Sequence, residues 1–98
     1  GYKRLGQAYH RKGDLSLALE AYRKAVALEL KDIEVFLWSG EILVSQQQWW
    51  DAIAQYRKAL QYAPQSWNLY HHLGDALQAV GDTDGAIAAY EKAVELAH

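Results

Sequence analysis

Gly6, Gly40 and Gly74 stand 34 residues apart, and the same interval separates Ala18, Ala52 and Ala86, then Tyr22, Tyr56 and Tyr90, then Lys24, Lys58 and Lys92, then Ala25, Ala59 and Ala93. Superposing residues 1–30 on 69–98 gives 13 identities. A register of this kind constrains the fold more than any local signal, because a repeated unit this short cannot bury its apolar face alone and must stack on its neighbours. The units run 1–32, 33–66 and 67–98, and together they form a single domain, 1–98.

Each unit divides into two amphipathic segments with apolar residues at helical spacing, separated by the breaker stretches RKGDLS, SQQQW and AVGDTDG. Helix pairs joined by turns this short run antiparallel, so the expected fold class is all-α. Asp32 and Ser66 precede the first helices of the second and third units, where a side-chain oxygen can accept from free backbone N–H groups. Asp14 and Asp82 are expected to do the same before the second helices of the first and third units. The middle unit offers only Gln48 there, a weaker cap by about 1 kcal/mol.

A mid-helix glycine costs roughly 0.5–1 kcal/mol relative to alanine, and this chain carries one at the same register position three times. The expected return is close approach of the second helix of each pair, with Ala18, Ala52 and Ala86 across the contact. Tyr22, Tyr56 and Tyr90, together with Tyr2, Phe36 and Tyr70, would fill the seams, since each aromatic buries about 150–250 Å².

The chain is 51% hydrophobic and 22% charged with one proline, a composition that excludes disorder and low-complexity sequence. A net charge of −2 provides no basic field for a phosphate backbone, so nucleic acid is not expected as a partner. No run reaches the roughly 18 apolar residues that span a bilayer, and GYKRLGQAYH has no signal-peptide core. Membrane association is not expected either. Without cysteine there is no disulfide or thiolate nucleophile, which fits a cytoplasmic chain. The abrupt start inside a helical pattern suggests a piece of a longer protein.

With those residues in place, the sequence resembles the tetratricopeptide repeat along essentially its whole length. The pattern falls on Tyr70, Leu73, Gly74, Leu77, Gly81, Ala86, Tyr90 and Ala93 in the third unit, and on Tyr2, Leu5, Gly6, Tyr9, Gly13, Ala18, Tyr22 and Ala25 in the first. In the middle unit Ser39 replaces the leucine and Gln47 the turn glycine. The closing proline is Pro64, with Leu30 and His98 in its place elsewhere.

The resemblance implies a right-handed α-solenoid that binds a protein or peptide along a concave wall built from the first helix of each pair. It places Lys3, Gln7, His10 and Arg11 on that wall from the first unit, Glu34, Leu37, Glu41 and Val44 from the second, and Asn68, His71, Asp75 and Gln78 from the third. The first unit's contribution is net positive and the second's net negative, so a bipolar groove is expected to select a segment of opposite pattern, unless the charges serve only solubility. One subtype of the family grips a chaperone's C-terminal carboxylate with five polar residues. Lys3, Gln7, Trp38, Asn68 and His72 occupy those places here, and only the first agrees.

No catalytic activity, metal or cofactor is expected. His71 and Asp75 share a helical turn without a third ligand, and Ser39, Ser45 and Ser66 lack a His–Asp pairing. Two other readings accompany the groove. The last helix, GAIAAYEKAVELAH, should expose an apolar stripe able to take a further repeat or a second copy. The wording of the third unit is also similar to repeats in bacterial multidomain proteins, where such an array docks substrate or partner for a glycosyltransferase or methyltransferase domain.

Trp49 and Trp50 diverge by about 100° on a helix. Trp49 aligns with Leu15 and Thr83 and is expected in the core. Trp50 aligns with Ser16 and Asp84 and either folds over Gln46 or Gln47 to shield the turn, or serves as an exposed convex anchor for a partner or for self-association. Trp67 packs on Tyr62 or faces solvent.

Overall fold

The computed structural model describes residues 1–29 and 31–97. Among them are six helices and no strand: α1 (Tyr2–Lys12), α2 (Leu15–Leu28), α3 (Ile33–Ser45), α4 (Trp49–Tyr62), α5 (Trp67–Ala79) and α6 (Thr83–Leu96). They pair as α1/α2, α3/α4 and α5/α6, and the pairs stack through α2 on α3 and α4 on α5. The array measures 36 × 24 × 20 Å. None of the described helices is long and apolar enough to cross a membrane. Leu30 and His98, where the closing proline is replaced, lie outside the described residues.

All three within-pair turns close in the same way. The N–H groups of Asp14, Gln48 and Asp82 donate to the carbonyls of Tyr9, Leu43 and Leu77 at 2.8–2.9 Å. That bond needs a left-handed residue just before it. Gly13 and Gly81 supply it at φ +94° and +86°, whereas Gln47 takes it at φ +61° without a glycine's freedom.

Capping follows expectation at three of the four expected sites. Asp32 accepts from Val35 N and Ser66 from Leu69 N, both at 3.3 Å, and Asp82 accepts from Gly85 N at 3.0 Å. Asp14 is a correction: its carboxylate caps nothing and lies 3.6 Å from Lys12 Nζ, drawn to the cation instead of the helix end. Gln48 makes no capping bond either, and its amide donates to Gln46 Oε1.

The core forms along the seams between the two helices of each pair and between pairs. Ala18, Ala52 and Ala86 are buried as expected, but the group that meets each helical glycine is the tyrosine ring. A Cβ on Gly6 or Gly40 would lie 2.4 Å from the Cε1 atom of Tyr22 or Tyr56, and one on Gly74 would lie 2.7 Å from that of Tyr90. The three glycines are therefore seats for three rings. Phe36 is buried and stacks at 6.4 Å on Tyr62, while Tyr2 stays exposed and Tyr70 half-buried.

Trp49 also departs from expectation, being half-buried at the start of α4 instead of in the core. Its neighbour Trp50 is 65% exposed, which leaves little of the ring to shield the turn. Trp67 is exposed at the start of α5, and the ring stacked with Tyr62 is Phe36.

Candidate functional site

Side chains of the first helices meet from unit to unit, α1 with α3 through Lys3 and Glu34 and α3 with α5 through Glu41 and His72, so these helices share a face. Between α1 and α3 this face opens into a cleft of about 260 Å³ lined by Gln7, His10, Arg11, Tyr22, Trp38 and Glu41. Its aromatic wall is a pair of rings. Trp38 lies 5.9 Å from Tyr22, tilted by 37°, and Tyr22 reaches the cleft because Gly6 leaves room beneath it. His10 Nδ1 sits 3.4 Å from the Tyr22 hydroxyl, which gives that largely buried group a polar neighbour. Burial, and then the negative charge of Glu41, raise the Tyr22 pKa above its ordinary value.

Charge at the cleft is mixed. Arg11 and Glu41 are exposed on it with opposite signs. Lys3 and Glu34, both expected on the wall, meet each other: Lys3 Nζ donates to Glu34 Oε1 at 3.0 Å, lies 3.3 Å from Asp32 Oδ2 and hovers 5.5 Å from the Trp38 ring. The bond to Glu34 raises the lysine pKa, burial opposes it, and Asp32 adds to the rise. These contacts tie the first unit to the second and neutralise part of the expected bipolar pattern.

Farther along the face, His72 stacks on Tyr56 with centroids 5.6 Å apart and planes within 21°, and its Nε2 lies 3.9 Å from Glu41 Oε1. His71 Nε2 is 3.6 Å from Asp75 Oδ2. The Tyr90 hydroxyl donates to Asp75 and approaches Gln78 Oε1 at 3.1 Å. Burial pushes the Tyr56 pKa far up. That of Tyr90 is pushed up to about 12, chiefly by the bond to Asp75, with burial and the aspartate's charge adding to it.

Among the twelve expected residues, the cleft collects Gln7, His10, Arg11 and Glu41, and His71, Asp75 and Gln78 cluster around Tyr90. Leu37 and Val44 pack against the core, and Asn68 is half-buried at the start of α5. Two cleft residues stand outside those twelve: Tyr22, and Trp38, which the sequence placed only at a carboxylate-gripping position of the family's subtype. A signal for Trp38 was present in the register, since Arg4, Trp38 and His72 share one position and a large ring there departs from its polar siblings. No group of three or more His, Cys, Asp or Glu side chains is placed to hold a metal among the described residues.

Family models described as tetratricopeptide repeat match residues 1–32 and 68–97, and one described as TPR repeat matches residues 40–81. The chain is 29% identical over 90 residues to BBSome complex member BBS4 from Bos taurus, covering 92% of this chain and 17% of that protein. It superposes on a crystal structure of MamA with a TM-score of 0.93 at 26% identity, covering 97% of this chain and 56% of that one. The N-terminal domain of stress-induced protein-1 from C. elegans superposes at 0.90 and 18% identity, covering 97% and 80%, a likeness of fold alone. The chain thus spans about half of MamA and a sixth of the bovine protein.

Proposed function

Because the chain belongs to the tetratricopeptide repeat family, we propose that it is a non-catalytic interaction scaffold whose first-helix face holds a peptide segment of a partner protein. The observation that carries this reading is the cleft between α1 and α3, where Trp38 and Tyr22 form an aromatic wall between Arg11 and Glu41. Aromatic and arginine side chains are the groups that dominate interface energies when truncated. An apolar side chain of the peptide would lie against Trp38, with an acidic neighbour toward Arg11 and a basic one toward Glu41, because opposite charges fix register and exclude wrong sequences. The alternation of charge along the face supports a peptide as occupant over a polyanion, which needs a continuous basic surface.

Selecting peptides from a displayed random library on residues 1–98 tests the reading. Selected peptides should carry an apolar residue flanked by opposite charges. Trp38→Ala should weaken them at least tenfold, and Glu41→Lys should shift selection away from basic flanks, with helicity unchanged by circular dichroism. Peptides that bind both variants as tightly as the parent would overturn the groove as the binding site.

A further inference from the structure

Between α2 and α4, over the buried side of α3, lies a second cavity, of about 480 Å³. Tyr22 lines both this cavity and the α1/α3 cleft, and so stands between them. One departure from the repeat opens the space. Leucine holds this register in the first and third units, and Leu73 packs into the core there. In the second unit the shorter Ser39 takes the place and lines the cavity.

The polar groups distinguish this cavity from a packing defect. Ser45, in the same helix, turns its hydroxyl onto the Ile42 carbonyl at 2.6 Å. Ser39, only 7% exposed, forms no such bond among the described residues, and its hydroxyl is not sealed in the core but opens on the cavity. A buried hydroxyl without a partner costs stability, so a group that enters and bonds to it is favoured. Around it Leu19, Val26, Phe36 and Leu43 supply apolar surface. At the mouth Arg23 and Lys58 are exposed, with Asp51 as the one acid. Glu20, one turn before Arg23, pairs with Lys24 at 3.7 Å and leaves the arginine available.

We propose that this cavity binds a small aromatic carboxylate that carries a polar group at the far end of its ring. The ring occupies the space that leucine fills in the other units, against Phe36 and Leu43, where aromatic and aliphatic surfaces pack well. Its far polar group meets the Ser39 hydroxyl. The carboxylate stays at the mouth between Arg23 and Lys58, which offer charge-assisted bonds, while Asp51 disfavours a second negative charge. The volume lies within the range of about 300–1,000 Å³ over which pockets enclose small molecules. The site is separate from the peptide cleft and does not rest on it.

Titrating para-hydroxyphenylpropionate into residues 1–98, followed by calorimetry and amide chemical shifts, tests this. Saturable binding with a millimolar or tighter Kd is expected, with the largest shifts in α2, α3 and α4. Phenylpropionate, which lacks the hydroxyl, should bind several-fold more weakly. Ser39→Leu, which restores the leucine of the other units, should weaken the probe by about tenfold or more, with helicity kept and Tm raised because the cavity is filled. Should that chain fold poorly, Arg23→Glu combined with Lys58→Glu, both at exposed positions, should produce the same loss. Glu41→Lys, in the α1/α3 cleft, should leave the affinity unchanged. No saturable binding to the parent chain, or binding that survives Ser39→Leu, would overturn the proposal. So would a loss in Glu41→Lys with helicity intact, which would put the probe in the other cleft.

Discussion

Gly40 lies under the ring of Tyr56, so close that a single added methyl carbon would stand 2.4 Å from Cε1 and 2.8 Å from Cζ. Tyr56 is buried, and His72 stacks on it at 5.6 Å, so the ring has little room to retreat. The contact couples a backbone position in α3 to packing between the second and third units.

Gly40→Ala should therefore destabilise the fold by about 1–3 kcal/mol, the usual cost of overpacking, despite alanine's better helix propensity. Gly74→Ala should cost less, because Tyr90 is half-exposed and can swing outward. Urea unfolding midpoints at constant slope make the comparison. Equal losses at the two sites would mean that the rings are equally free.

Gln47→Gly should stabilise the chain by about 1 kcal/mol, since a side chain in the left-handed region costs about 1–2 kcal/mol and glycine's greater unfolded-state entropy offsets part of the gain. Thermal unfolding of the two chains side by side reads this as a rise of several degrees in Tm, about 4–8 °C per kcal/mol for a domain of this size. A lowered Tm would refute the strain at this turn.

Asp14 and Asp82 occupy the same register but do different work, so their alanine variants should separate. Asp82→Ala removes a 3.0 Å bond to Gly85 N and should cost about 1 kcal/mol. Asp14→Ala removes only an exposed pair with Lys12 and should stay within about 0.5 kcal/mol of wild type. Chemical denaturation distinguishes the two, and a larger loss at Asp14 would contradict the capping assignment.

Tyr90 predicts a specific alkaline behaviour. Its hydroxyl is pushed from the ordinary 10.0 up to about 12, first by its bond to Asp75. A raised folded pKa stabilises the native state fully below pH 10 and loses that contribution as pH climbs toward about 12, because the unfolded chain gives up the proton first. Tyrosinate absorbance should show a late-titrating component that Tyr90→Phe diminishes and Asp75→Asn moves to lower pH. Unchanged titration curves would rule out the hydrogen bond as the cause.

Much of this protein was legible in its residues alone. A 34-residue register in glycine, alanine and tyrosine determined the number of units, the helix pairs and the all-α class, because each unit repeats one local solution to burying one apolar stripe. Capping at Asp32, Ser66 and Asp82 was equally readable, as it depends on residues three apart. Three features were decided only by tertiary structure. Asp14 turned to Lys12 instead of its helix end, Lys3 and Glu34 joined across 31 positions of sequence, and Trp38 came to rest on Tyr22 from the preceding unit. A register states which residues share a face, but the partner that a long charged or aromatic side chain finds depends on the rotation and spacing of neighbouring helices, which packing sets.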